Sequence, residues 1–289
     1  MKYRITLLLL ILSTSWMWAQ APTSSSLLWR VESPEGGTPS YLYGTIHLMC
    51  KDDLQLDAPL QEAFAEVDQL VLELDMDDPA MMGTMQKFMM MQDGLRIRDL
   101  MEEEDFALVN RFFKDSVGMG LGILGGFKPI ILQSLMYPVL LGCNPASYEE
   151  EFVRWAKKAE IEVLGLETIE FQMSVFDKIP YEKQAEWLVE SVEDYANTKE
   201  ETDRMIAVYR TQDLEEIQSW MVESMDEYQE FSSDLLDDRN ADWIPKMAKL
   251  MSEKPTFFGV GAGHLGGEKG VIALLRQAGY TVSPVLLQP

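Results

Sequence analysis

Apolar residues follow two rhythms along this chain. Short apolar runs bounded by glycine, proline or charge are the mark of buried strands. They occur at Ser26–Val31, Ser40–Ile46, Gln69–Asp75, Ile161–Thr168, Thr256–Val260 and Tyr280–Leu286, so most lie toward the two ends. Pro284 cannot donate to a ladder and places the last run at a sheet edge. Between the runs the rhythm is helical. Leu60–Val67 begins at Pro59, and Asp78-Pro79 offers a cap and a first-turn proline to a methionine-rich helix. Leu95 to Gly142 reads as helix interrupted by the glycine-rich Gly118–Gly126, either a lid or a turn between packed helices. Ser147-Tyr-Glu-Glu150 is a capping box for a helix through Ala159. Tyr181 to Met225 holds two long amphipathic helices, the second from Asp213. Leu235–Leu250 carries Arg239, Asn240 and Trp243 and is kinked or restarted at Pro245. Gly270–Gln277 closes at Gly279. The fold expected is α/β: a single central sheet built from strands at both chain ends, with a large helical insertion.

The N-terminus changes the picture. Met1-Lys-Tyr-Arg precedes the apolar Ile5–Leu12 and then small residues up to Ala19. A basic start, a short apolar core and a small residue at the cut describe a secretory signal peptide. Residues 1–19 are therefore expected to be removed, leaving 20–289 as one exported domain, periplasmic or extracellular. No later stretch reaches the roughly 18 apolar residues of a membrane helix. An apolar fraction of 47% is ample for a core. The net charge of −24 argues against nucleic acid as a partner, since that binding is led by Lys and Arg. It reads instead as a solvated acidic surface. Cys50 and Cys143 are the two cysteines. In an oxidising compartment they form either one bridge, pinning the turn at His47 to the loop at Cys143, or two buried thiols.

Candidate chemistry gathers at strand ends. The two histidines of the chain, His47 and His264, each follow a strand in the same local pattern, Gly-x-x-His-Leu. Two strands remote in sequence and adjacent in space would bring both to one site, at the carboxyl ends where open α/β sheets bind ligands. Gly261-Ala-Gly-His-Leu-Gly266 also spells a dinucleotide fingerprint, but that fingerprint needs an acid about 20 residues on, and after Gly266 the only acid is Glu268. Glu73 and Glu167 end two further apolar runs. Two imidazoles with one or two carboxylates suit zinc, manganese or iron, whose bound water attacks a carbonyl while a second carboxylate acts as base. The plainer alternative pairs Glu73 with Arg239 and leaves either histidine as a satisfied core residue. Met81, Met85 and Met89 share a helix face and read as core, as an adaptable apolar surface, or as a thioether copper site.

Taken together, Tyr43-Gly-Thr-Ile-His-Leu48, Val71-Leu-Glu-Leu-Asp75, Gly165-Leu-Glu-Thr168 with Gln172, Arg239-Asn240 with Trp243, and Gly261-Ala-Gly-His-Leu-Gly266 resemble the TraB/PrgY/GumN family, related to the TIKI proteins. The resemblance spans the mature chain. It implies a fold shared with erythromycin esterase-like and haem-binding ChaN-like proteins, and an active centre made by the paired G-x-x-H motifs and an acid. Because TIKI members are metal-dependent proteases, it implies an exported metallopeptidase acting on a peptide or small molecule. His47 and His264 would bind a divalent metal (manganese, cobalt or zinc). Glu73 or Glu167 would complete the site and the other would act as base. Arg239 would orient a carboxylate or stabilise the oxyanion, and Asn240 would hold a ligand in place. A metal-free esterase with a histidine base, and a haem- or peptide-binding protein without turnover, are the alternatives.

Overall fold

The computed structural model describes residues 26–224, 231 and 233–287; the expected leader, 1–19, lies outside the described residues. Among the described residues eight strands occur in chain order: β1 Leu28–Glu32, β2 Ser40–Thr45, β3 Met49–Cys50, β4 Gln69–Leu72, β5 Pro145–Ala146, β6 Glu162–Gly165, β7 Thr256–Gly261 and β8 Thr281–Val285. Six of them form one sheet in the order β6-β4-β7-β2-β1-β8. The stretch β6-β4-β7-β2 is parallel, and β1 and β8 add antiparallel. The sheet is thus mixed α/β and draws its strands from both chain ends, as the sequence pattern predicts. β8 takes the expected edge, with Pro284 facing Trp29 of β1. Because β8 lies antiparallel to β1, not parallel beside β7, the glycine-rich turn does not open a dinucleotide-binding βαβ unit.

Period-two alternation explains why the central strands read as unbroken apolar runs. Tyr41, Tyr43, Leu70, Leu72 and Phe257 pack on one face with Phe152 of the Tyr148–Ala159 helix. Leu42, Val71, Phe258 and Val260 pack on the other with Trp243 and Met247 of the Asp238–Glu253 helix. Both faces are covered, so neither can be polar. A third core, including Ile97, Val109, Phe113, Leu132 and Leu188, holds the helical insertion together. Leu121 and Leu124, inside the glycine-rich stretch, are buried in it, so that stretch is a turn between packed helices.

Four local expectations shift. Asp78-Pro79 forms a turn, with Asp78 Oδ1 accepting the Ala80 N–H at 2.8 Å, and the helix runs Met81–Phe88. Residues 181–224 hold three helices, Tyr181–Glu193, Tyr195–Arg210 and Leu214–Ser224. Asp194 (φ −104°, ψ 52°) breaks the first and caps the second through the Asn197 N–H. An additional helix, Ile169–Phe176, is capped by Thr168; its apolar residues alternate, which hides a helical period. Lastly, the Asp238–Glu253 helix continues through Pro245, which sits on its exposed side.

Candidate functional site

The register of the parallel strands places the chemistry. Gly44 faces Val260 and Thr45 faces Gly261, so the two Gly-x-x-His turns leave neighbouring strands at the same end. Leu72 of β4 faces both Gly259 and Gly165, so Glu73 and Glu167 emerge at that end too. Close approach requires Gly44: a Cβ there would lie 2.9 Å from Leu265 Cδ2 and 3.1 Å from Ala262 Cα. A cavity of about 700 Å³ opens here, lined by His47, Glu73, Glu149, Gln172, Arg239 and His264 among others. The expected meeting of His47 and His264 in one pocket is therefore present.

Arg239 is the hub. From the Asp238–Glu253 helix its Nε donates to Glu167 Oε2 at 3.2 Å, and its Nη2 to Glu167 Oε1 at 2.6 Å and Glu73 Oε2 at 2.7 Å. Nη1 donates to Leu235 O at 2.9 Å and to His264 Nε2 at 3.1 Å. Gln172 Nε2 bridges the two acids at 3.1 Å each, and Trp243 Nε1 donates to Glu167 Oε2 at 3.2 Å. The remaining oxygen of Glu73, Oε1, accepts the Gly261 N–H at 2.8 Å. Burial works against ionisation of Glu73, yet His264, Arg239, His47 and that N–H hold its pKa at about 2. For Arg239, burial is outweighed by Glu167 and Glu73, and its pKa rises. The side chain of Glu167 is covered entirely and does not line the cavity.

His264 has an assigned tautomer. Asn240 Nδ2 donates to Lys269 O at 3.0 Å, so Asn240 Oδ1 faces His264 Nδ1 at 2.7 Å and accepts its proton. Nε2 is then the unprotonated nitrogen, and Arg239 Nη1 donates to it. Burial first, then Arg239 and His47, push the His264 pKa down to about 3 despite Glu73. The imidazole is neutral, with Trp243 packed on it at 4.5 Å between ring centroids.

His47 stands apart from this cluster and has its own carboxylate. Its Nδ1 lies 3.3 Å from Glu149 Oε1, which also accepts from Thr45 Oγ1 at 2.7 Å. Ser147 Oγ donates to Glu149 Oε2 at 2.6 Å. Burial disfavours the Glu149 anion, but His47, Ser147 and Thr45 together lower its pKa. The Glu149 hydrogen bond in turn raises that of His47, against desolvation. Its side chain is 76% exposed, so water screens that pull and the direction stands without its full extent. Glu149 was not legible as a site residue, because Ser147-Tyr-Glu-Glu reads as a cap; the signal lay in a buried acid in the first turn of a helix beside the His47 turn. Holding the pair together, Cys50 and Cys143 form a disulfide and β3 pairs with β5.

The donors for a metal are right in kind but are not assembled. Among the described residues no three His, Cys, Asp or Glu side chains stand close enough to hold an ion. His264 Nε2 faces Arg239, and both Glu73 oxygens are engaged. Of the methionines, Met81 and Met85 line the cavity and Met89 does not. No described helix is long and apolar enough to cross a membrane. No curated protein and no solved structure matches the chain. The TraB/PrgY/gumN family profile, however, matches residues 27–284, and it does so across the strands and turns that build this pocket. The chain belongs to the TraB/PrgY/gumN family.

Proposed function

We propose that the pocket is a hydrolytic centre in which His47 and Glu149 activate water against a carbonyl carbon. One observation carries this reading: a carboxylate, itself fixed by two hydroxyls, holds His47 Nδ1–H at the cavity and leaves Nε2 as the basic nitrogen. That is how a general base is oriented in acyl transfer. Water loses its proton to Nε2 as its oxygen bonds to the carbonyl carbon. The imidazolium then returns the proton to the leaving oxygen or nitrogen, and an acid and an alcohol or amine depart. Arg239 lines the same cavity, but its donors are engaged by Glu167, Glu73, Leu235 O and His264, so its part is to organise the floor. Glu73, Glu167 and Gln172 hold its guanidinium in place, and Asn240 holds His264 in one tautomer. In this reading Glu167 is a positioning residue.

A divalent metal is the second reading, and charge favours it. Glu73 and Glu167 bring two negative charges against the one of Arg239, with His264 neutral, so the buried cluster keeps an excess of negative charge. His264 Nε2 is unprotonated and stands 3.8 Å from Glu73 Oε1. Binding there requires Arg239 Nη1 to leave His264. The experiment is hydrolysis of p-nitrophenyl esters and of a peptide mixture by the mature protein, with and without chelator, beside metal analysis of the same sample. Activity that survives chelator and is lost in His47→Ala supports the histidine base. Activity lost with the metal and restored by manganese, cobalt or zinc supports the second reading. No turnover of either substrate class, with folded protein, removes both. An exported, periplasmic or extracellular location is part of the proposal, and mass analysis of exported protein should find Gln20 at the N-terminus.

A further inference from the structure

The walls of the cavity differ from its floor. Charged and hydrogen-bonding side chains cluster where the strands end, and they are bonded to one another: Arg239 to Glu73 and Glu167, and Glu149 to His47, Thr45 and Ser147. Glu150, the further acid of the lining, is exposed. Above the floor the lining is apolar and rich in methionine, with Met76, Met81, Met85, Met205 and Met221 beside Phe176. Unbranched thioether side chains adapt to a flexible apolar guest. Met221 closes directly on the His264 turn, since a Cβ on Gly263 would lie 2.7 Å from its Sδ.

An extended peptide is poorly served by these walls. Its backbone N–H and C=O groups need partners once buried. Strand addition would supply them, but β4, β7 and β2 are each paired on both sides. The one guanidinium of the lining is neutralised by two carboxylates, so no free cation waits for a peptide carboxylate among the described residues. A guest with a single polar group, seated at the floor, and a long apolar remainder satisfies both regions.

We propose that the cavity takes an aliphatic acyl chain, with the scissile ester at the His47–Glu149 floor and the chain against the methionine wall; this rests on the hydrolase reading above. The test separates the two claims. Binding is read by displacement of the neutral dye N-phenyl-1-naphthylamine with butanol, hexanol and octanol, and turnover by p-nitrophenyl acetate against octanoate. Each buried methylene is expected to tighten displacement about fourfold, so butanol to octanol spans about 250-fold. Met85→Glu, on a half-buried helix face outside the catalytic groups, should shrink that span about tenfold or more, whereas Met85→Leu should keep it. Octanoate should exceed acetate in kcat/KM in the same wild-type sample. Displacement that is flat with chain length, or a span unchanged by Met85→Glu, overturns the acyl pocket. A steep span without ester cleavage leaves the pocket standing and removes the hydrolase. Cleavage of both esters alike with a flat span leaves the hydrolase standing and removes the pocket.

Discussion

Replacing Arg239 with methionine keeps the length of the side chain and removes the charge on which the site is assembled. The guanidinium donates three hydrogen bonds to two carboxylates, of which Glu73 is 8% and Glu167 7% exposed. Taking one partner from a buried ion pair typically costs about 3–5 kcal/mol, since the remaining charge is left uncompensated. The lowered pKa of Glu73, about 2 against an ordinary 4.5, has the same direction, with Arg239 sharing that effect with His264, His47 and the Gly261 N–H. With His264 neutral above about pH 3, Arg239 is the standing cation behind it. The sign with pH follows. A depressed carboxylate pKa stabilises the fold above 4.5, and that contribution is lost as pH falls toward 2. The variant has little of it to lose, and its freed His264 can protonate beside Glu73. The gap between wild type and variant is therefore widest near pH 8 and narrows toward pH 4. Urea denaturation followed by circular dichroism at several pH values measures it. A gap below about 1 kcal/mol at pH 8, or one constant over the range, would refute the reasoning.

The pH profile of turnover tests the water-activating pair: because Glu149 raises the His47 pKa above 6.5, the acid limb of kcat/KM lies above 6.5 in wild type. Glu149→Gln should move that limb down toward 6.5 while lowering the plateau about 10²-fold or more, and an unmoved limb would separate His47 from the chemistry. Asn240→Ala releases His264 Nδ1, so activity should drop about 10- to 100-fold, with a loss of about 1–3 kcal/mol in stability seen by thermal melting. Removing the Cys50–Cys143 bridge, which closes a span of 93 residues, should cost about 2–4 kcal/mol. Reduction of the wild type should lower kcat/KM as well, and equal activity in the reduced and oxidised forms would detach the bridge from the His47–Glu149 geometry.

Much of this site could be read from residue patterns, for physical reasons that differ by residue. His47 and His264 repeat one local motif at strand ends, and parallel pairing does the rest. Glu73 and Glu167 stood out because carboxylates bordering apolar runs require partners, whereas Arg239, Asn240 and Trp243 stood out through the resemblance to the family's marks. What stayed hidden was how those partners are shared. Arg239 reaches both acids and His264 at once, and no spacing in the chain encodes that fork. Glu149 was masked by a capping motif that is also present, since Ser147 Oγ accepts the Glu150 N–H while its own proton goes to Glu149. The Ile169–Phe176 helix was masked by alternation, yet it carries Gln172 between the two acids.

The position of β7 has a consequence for how the chain matures. β4 and β6 can pair as soon as Gly165 has been made, and β1 and β2 can pair as a hairpin long before. Among the described residues β7 is the only strand that touches both sets, and Ser40 and Thr256, which it brings together, are 216 residues apart. Until it arrives, the inner edges of β4 and β2 are open apolar templates of the kind that pair with the wrong chain. His264 follows β7 directly, so the pocket gains its second imidazole in the same event that closes the sheet. Assembly of the site is thereby tied to completion of the fold: an incomplete chain, or one held open by a chaperone, has no pocket to put to work.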